Sequence, residues 1–149
     1  MKNNELVSNK KAYHDYEIIE TLEAGIELQG SEIKSLRNHG GSLNESYIIL
    51  KKHEVFLINS SIAPYKYGNQ FNHEEKRSRK LLLHKYEITK LKKHTQEKGF
   101  SLIPISFYLK KGFVKVKIGV GKGKKLHDKR SSIQEKEQKR SIERALKGI

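Results

Sequence analysis

IPISFYLKKGFVKVKIGV, residues 103–120, is the stretch that decides how the rest of the chain is read. Ile103, Ile105, Phe107 and Leu109 alternate with Pro104, Ser106 and Tyr108. After Lys111-Gly112, residues Val114, Val116, Ile118 and Val120 alternate with Lys115, Lys117 and Gly119. A period of two sends successive side chains to opposite faces of a strand. The stretch is therefore predicted to be an antiparallel hairpin that turns at Lys111-Gly112, with one apolar face and one face carrying Lys115 and Lys117 outward.

Working outward, near-alternation recurs from Tyr16 to Gln29, with Ile18, Leu22, Ile26 and Leu28 set against glutamates, and predicts a half-buried strand. Ala24-Gly25 interrupts it, and a Gly there is read as a bulge or bend. Ser31 followed by Glu32, Ile33, Leu36 and Gly40-Gly41 has the N-cap, first-turn acid, apolar spacing and glycine stop of a short helix. Residues 47–59, YIILKKHEVFLIN, carry β-branched and aromatic residues on both sides of Lys52-His53-Glu54. They are predicted to form a second hairpin in contact with protein on both faces, ended by Pro64. Residues 65–80 read as a long polar loop. Leu81-Leu82-Leu83, Ile88 and Leu91, closed by Gly99, read as one or two helices. About six strands with two helical insertions predict a mainly β fold, a small closed antiparallel barrel of OB-like type.

Beyond Val120 the character changes. Residues 121–149 hold ten Lys or Arg against four Asp or Glu, and core-forming residues nearly vanish. Ile142, Ala145, Leu146 and Ile149 fall at helical spacing, but the stripe is too short to hold a helix in water. The expected division is a folded domain over residues 1–120 and a basic tail over 121–149, disordered when free and helical when held.

Across the whole chain of 149 residues the formal net charge is +14, with 32% charged and 35% hydrophobic residues. That balance points to an extended anionic partner, nucleic acid before membrane. No run approaches the roughly 20 apolar residues of a membrane span. The N-terminal MKNNELVSNKK lacks a signal-type apolar core. With no Cys, disulfides and thiolate metal sites are excluded, which fits a reducing, cytoplasmic setting. The histidines at 14, 39, 53, 73, 84, 94 and 127 show no metal-ligand clustering. No nucleophile elbow, phosphate loop or paired carboxylate appears, so neither catalysis nor a cofactor is expected. KRSRK at 76–80, with Tyr65, Tyr67 and Phe71 beside it, Lys115 and Lys117 on a strand, and GKGKKLHDKR at 121–130 supply cations for phosphates and rings for unpaired bases. The acidic residues Glu17, Glu20, Glu23 and Glu27 would repel phosphate and read as a solvated face, unless Glu23 accepts hydrogen bonds from RNA or orients a neighbouring cation.

NKKAYHDYEIIETLEAGIELQGSEIKSLR (9–37), SYIIL (46–50), NHEEKRSRKLLLHKYEI (72–88) and KVKIGVGKGKKLHDKR (115–130), in this order and covering nearly the whole chain, resemble the SmpB family of SsrA-binding proteins. The resemblance implies an OB-like barrel with helices that binds the tRNA-like domain of tmRNA (SsrA RNA), stands in for its missing anticodon arm and brings it to stalled ribosomes. It implies RNA contacts at Asn9, Glu23 and Leu82, with Lys10, Lys11, Lys34, Arg77, Arg79 and Lys80 as phosphate or sugar contacts. It further implies a ribosome-binding tail carrying Lys122, Lys124, Lys125, His127, Asp128, Lys129 and Arg130, which enters the decoding centre of the small subunit and the empty mRNA channel. Elongation factor Tu is an implied partner through aminoacylated tmRNA.

The chain departs from the family pattern at Leu22, where an aromatic is common, at Glu75, where Pro is common, and at Asn38-His39-Gly40-Gly41. Two other readings compete. Charge and strand pattern alone also fit a general single-strand RNA-binding or ribosomal OB-fold protein. A small nuclease would use His14 or His127 as general acid or base, with Lys stabilising charge.

Overall fold

A computed structural model describes residues 4–65, 72–97 and 99–124. The hairpin that opened the reading is its spine. β8 (Phe100–Lys110) and β9 (Phe113–Gly123) pair antiparallel from Phe100↔Lys122 to Lys110↔Phe113. Lys111 (φ 52°) and Gly112 (φ 84°) form the turn, both at positive φ as a tight two-residue hairpin loop demands. Pro104 lacks the N–H of a ladder residue, and the ladder shifts register between Pro104 and Ser106 at a bulge. Here Asn9 Nδ2 donates to the Pro104 carbonyl at 2.8 Å.

β2 (Tyr16–Ile26) runs along β9, and its last residues also pair with β7 (Arg79–Leu82) through Gly25↔Leu82 and Ile26↔Leu81. The bulge in β2 lies between Ile18 and Glu20 rather than at Ala24-Gly25. Gly25 answers to a different need. A Cβ there would lie 3.3 Å from Leu82 Cβ, so the glycine permits the close approach of β7. β7 corrects the helical reading of Leu81-Leu82-Leu83. Arg79, Lys80, Leu81 and Leu82 alternate in burial with period two, and their backbone fills the gap between β2 and β5 (Glu54–Ile58). Helical spacing starts only after His84, with α3 (Lys85–Gln96).

β4 (Tyr47–Lys51) and β5 form the second hairpin, from Tyr47↔Ile58 to Lys51↔Glu54. β4 is not covered on both faces as expected: Tyr47 and Ile49 are exposed, because β4 ends the sheet. β1 (Glu5–Ser8) pairs with β8 at the other end, completing the order β1-β8-β9-β2-β7-β5-β4, antiparallel throughout. β3 (Gly41–Ser42) and β6 (Ser61–Ile62) form a separate two-stranded ladder. The fold is mainly β, as expected. The closed barrel is not formed, since no ladder among the described residues joins β4 to β8 or β1, although β4 approaches β8 across an open seam. Val116, Ile118, Val120 and Phe107 build the core with Val55, Leu57 and Leu81, into which α2 (Gly30–Arg37) sends Leu36 and α3 sends Leu91. α1 (Ala12–Asp15) is a single turn joining β1 to β2.

The start of α2 also departs from the reading. Gln29, not Ser31, is the N-cap, and its backbone N–H donates to Glu32 Oε1 at 2.8 Å. The Ser31 hydroxyl turns to buried His73, whose Nδ1 lies 2.8 Å away while Nε2 lies 2.7 Å from the Ile62 carbonyl. A carbonyl only accepts, so Nε2 donates to it. β9 continues through Gly123, past the expected boundary at residue 120.

Candidate nucleic-acid interface

The same alternation that buries Val116 and Ile118 turns Lys115 and Lys117 to the opposite face of β9. Register then assembles a surface around them. Tyr108 of β8, Lys115 of β9, Gly25 of β2 and Leu82 of β7 form one cross-strand row. One step along, Lys117 pairs with Glu23. Glu23 is thus the one acidic side chain among these row positions, and its carboxylate is held in place. Tyr108 OH donates to Oε2 at 2.6 Å, and Lys110 Nζ donates to Oε1 at 3.2 Å. The Tyr108 hydrogen bond, joined by Lys110 and Lys115, keeps Glu23 below the ordinary carboxylate value. Burial and the Glu23 carboxylate push the Tyr108 hydroxyl up, so it stays protonated and donating. An open groove beside Glu23 is lined by Thr21, Leu22, Leu82, His84 and Lys115. Such a surface offers ammonium groups to phosphates, apolar faces to bases and fixed carboxylate lone pairs to amino or hydroxyl donors.

The other residues of the acidic strand have different employment. Glu20 accepts from Lys90 and lies 3.2 Å from His94 Nε2, pinning β2 to α3. The Lys90 contact leads in holding its pKa low.

The residues singled out from sequence do not all meet. Glu23 and Leu82 share the strip. Asn9 docks β1 on the β8 bulge and, with exposed Lys11, lines a second cavity bounded by Tyr16, Tyr47 and Ile103. Lys10 is exposed beside it, and Lys34 lies 5.7 Å from the centre of the Tyr65 ring. Lys80 donates to Glu54 at 2.9 Å, and that pairing raises its pKa.

Arg77 and Arg79 are the clearest departure. Arg79 and Glu32 are both 0% exposed. Arg79 Nε donates to Glu32 Oε2 at 2.9 Å, and its terminal nitrogens donate to Ser60 and to the carbonyls of Arg77 and Glu75. Arg77 grips the same carboxylate at 2.7 and 2.8 Å. Burial works to raise the Glu32 pKa. The Arg77 and Arg79 bonds and the Gln29 N–H outweigh it and leave the carboxylate below its ordinary value. Arg79 therefore ties β7 to α2 with its donors taken up inside the fold, and Arg77, partly exposed, spends most of its donors on the same carboxylate and on the Ser78 and Glu27 carbonyls.

Lys122 and Lys124 lie at the folded end of β9. Lys122 pairs with Glu17 and Phe100, and the Lys124 N–H donates to the Asp15 carbonyl at 2.9 Å. Lys125, His127, Asp128, Lys129 and Arg130 lie outside the described residues, as do Tyr67 and Phe71. Tyr108 and Lys110 were not among the residues singled out. Their signal was parity, since on the paired strand they take the same outward side as Lys115. Among the described residues no three His, Asp or Glu are placed to hold a metal ion, and no helix is long and apolar enough to cross a membrane.

The family model described as SmpB protein matches residues 6–148. The chain belongs to the SmpB protein family. Among SmpB relatives, the SsrA-binding protein of Chlamydia trachomatis serovar A is 58% identical over 143 residues, spanning 96% of this chain and 95% of the relative. That of Staphylococcus haemolyticus is 54% identical over 142 residues, spanning 95% and 91%. A solved SmpB-like chain, described as "tmRNA-SmpB: a journey to the center of the bacterial ribosome", superposes with a TM-score of 0.71 at 41% identity, over 85% of this chain and 93% of its own length. The SmpB match runs through the blocks that carry Glu23, Leu82 and Lys115.

Proposed function

We propose that this chain is an RNA-binding adaptor of trans-translation, which binds the tRNA-like domain of SsrA RNA and delivers it to stalled ribosomes. The observation that carries this is the outward strip on an SmpB-family body: Lys110, Lys115 and Lys117 arranged about one ordered carboxylate, Glu23, with exposed Leu82 beside it. The cations neutralise phosphates, while Glu23 selects donors that only a folded RNA places at that point. Exposed Lys10 and Lys11, with Asn9, extend the contact toward the first turn of the chain.

The finer parts of this reading rest on family likeness. The return of β4 against β8 supports an OB-like body whose seam stays open. The chain beyond β9 acts as a ribosome-binding tail in which Lys125, His127, Asp128, Lys129 and Arg130 engage the small subunit at the decoding centre and vacant mRNA channel. Elongation factor Tu joins through the aminoacylated RNA, and the whole cycle is cytoplasmic.

Competition binding at moderate salt tests the core of the proposal. SsrA RNA is expected to be preferred over bulk tRNA and over poly-pyrimidine. Equal affinities for all three would overturn it in favour of a general single-strand binder.

A further inference from the structure

Beside the strip, at the start of α3, two aromatic rings stack on each other in open solvent. The His84 and Tyr86 rings lie 5.6 Å apart at 8°, close to parallel. Tyr86 is 71% exposed, and Leu82, which lines a groove with His84, is 45% exposed. Neither ring belongs to the core, which this helix meets through Leu91 and Ile88. With Tyr86 largely exposed, the parallel pair turns a ring toward solvent, and an exposed ring face stacks on a flat aromatic ligand.

Its surroundings name the ligand. His84 lines the same groove as Glu23, Leu82 and Lys115, so the ring pair continues the strip rather than forming a separate patch. Lys85 is exposed in the helix turn that carries Tyr86. Glu87, which lines the same groove, caps α3, its Oε1 accepting from the His84 N–H at 2.9 Å. A π-face flanked by ammonium groups and continuous with an RNA-facing surface is suited to an unpaired base whose phosphates reach the lysines.

We propose that the His84–Tyr86 pair is a stacking platform for an unpaired nucleobase of the same RNA that lies on Glu23 and Leu82, an inference that rests on the RNA-binding reading above. The base stacks on the outer face of Tyr86, and its backbone runs toward Lys115 past Leu82. Because stacking reads a π-face and not an edge pattern, this subsite strengthens binding to a splayed base without choosing among the four.

The chain contains no Trp, so Tyr86→Trp in the full-length protein places a single tryptophan, excited apart from the tyrosines, at the platform. Titration with SsrA RNA is expected to quench its emission, whereas heparin, a polyanion without bases, is expected to leave it unquenched. Tyr86→Ala is expected to weaken SsrA RNA binding roughly 5- to 100-fold with an unchanged melting temperature, and Tyr86→Phe to retain wild-type affinity. Absence of RNA quenching, equal quenching by heparin, or a Tyr86→Ala dissociation constant within twofold of wild type would each overturn the platform while leaving the RNA-binding reading standing. Failure of the wild-type chain to bind SsrA RNA would remove both.

Discussion

Glu23 and Glu32 are chemically identical carboxylates with opposite employment. Glu32 is buried between two guanidiniums, and removing Arg79 leaves that buried carboxylate to Arg77 and the Gln29 N–H while unpairing the Ser60, Arg77 and Glu75 carbonyls. Arg79→Ala is therefore expected to cost about 3–5 kcal/mol of stability, read from urea denaturation. The same group gives a pH signature. Its folded pKa lies below the ordinary 4.5, so its contribution is fully present above the unfolded value and is lost as pH falls through the lower folded one. Melting temperature is accordingly expected to fall below about pH 4.5, and to fall less in Glu32→Gln, whose starting stability is lower. Glu23 sits at the surface, so Glu23→Ala is expected to leave the melting temperature unchanged and weaken SsrA RNA binding roughly tenfold, measured by filter binding. The sequence showed Glu23 as an acid out of place on a basic chain. It could not show that Arg77 and Arg79 were already engaged, because their partner lies 45 and 47 positions upstream and only the fold brings it near.

At the scale of elements, legibility followed how much of an element's pattern is local. The β8–β9 hairpin and the β4–β5 hairpin carry their own alternation and turns, and both were read as hairpins; their faces were not, since β4 is exposed on one side and the β8 bulge sends Ile103 and Ile105 to pack with Ala12, apart from Phe107. β7 is four residues whose strand state comes from the open edges of β2 and β5, so its three leucines read as helix. The two-residue β3 and β6 carry no pattern of their own. Close packing of β2 on β9 makes a further test. A Cβ on Gly121 would lie 2.9 Å from the Glu17 carbonyl oxygen, which as backbone cannot swing aside. Gly121→Ala is expected to destabilise the chain by about 1–3 kcal/mol, read from the denaturation midpoint. The RNA dissociation constant is expected to stay constant below the transition, since the strip lies at the other end of β9.

For the molecule as a whole, a net charge of +14 said that the partner is anionic without saying where it sits. Register supplies the proposed place: parity of side chains along β8, β9 and β2 gathers Lys110, Lys115 and Lys117 around Glu23. The basic tail is a separate source of charge, and among the described residues the buried core runs from Val7 to Val120. Removing residues 127–149 is expected to spare most SsrA RNA affinity and to abolish tagging on stalled ribosomes in a reconstituted translation assay. Comparable loss of both would contradict the division of labour. The claim on which the account turns is that this outward strip, and not net charge at large, grips the RNA. Its most direct measurement is the salt dependence of SsrA RNA binding by the full-length chain before and after the double change Lys115→Glu and Lys117→Glu. The account predicts a sharp loss of affinity and a plot of log K against log salt shallower by about 1 to 2; an unchanged slope and dissociation constant would contradict it.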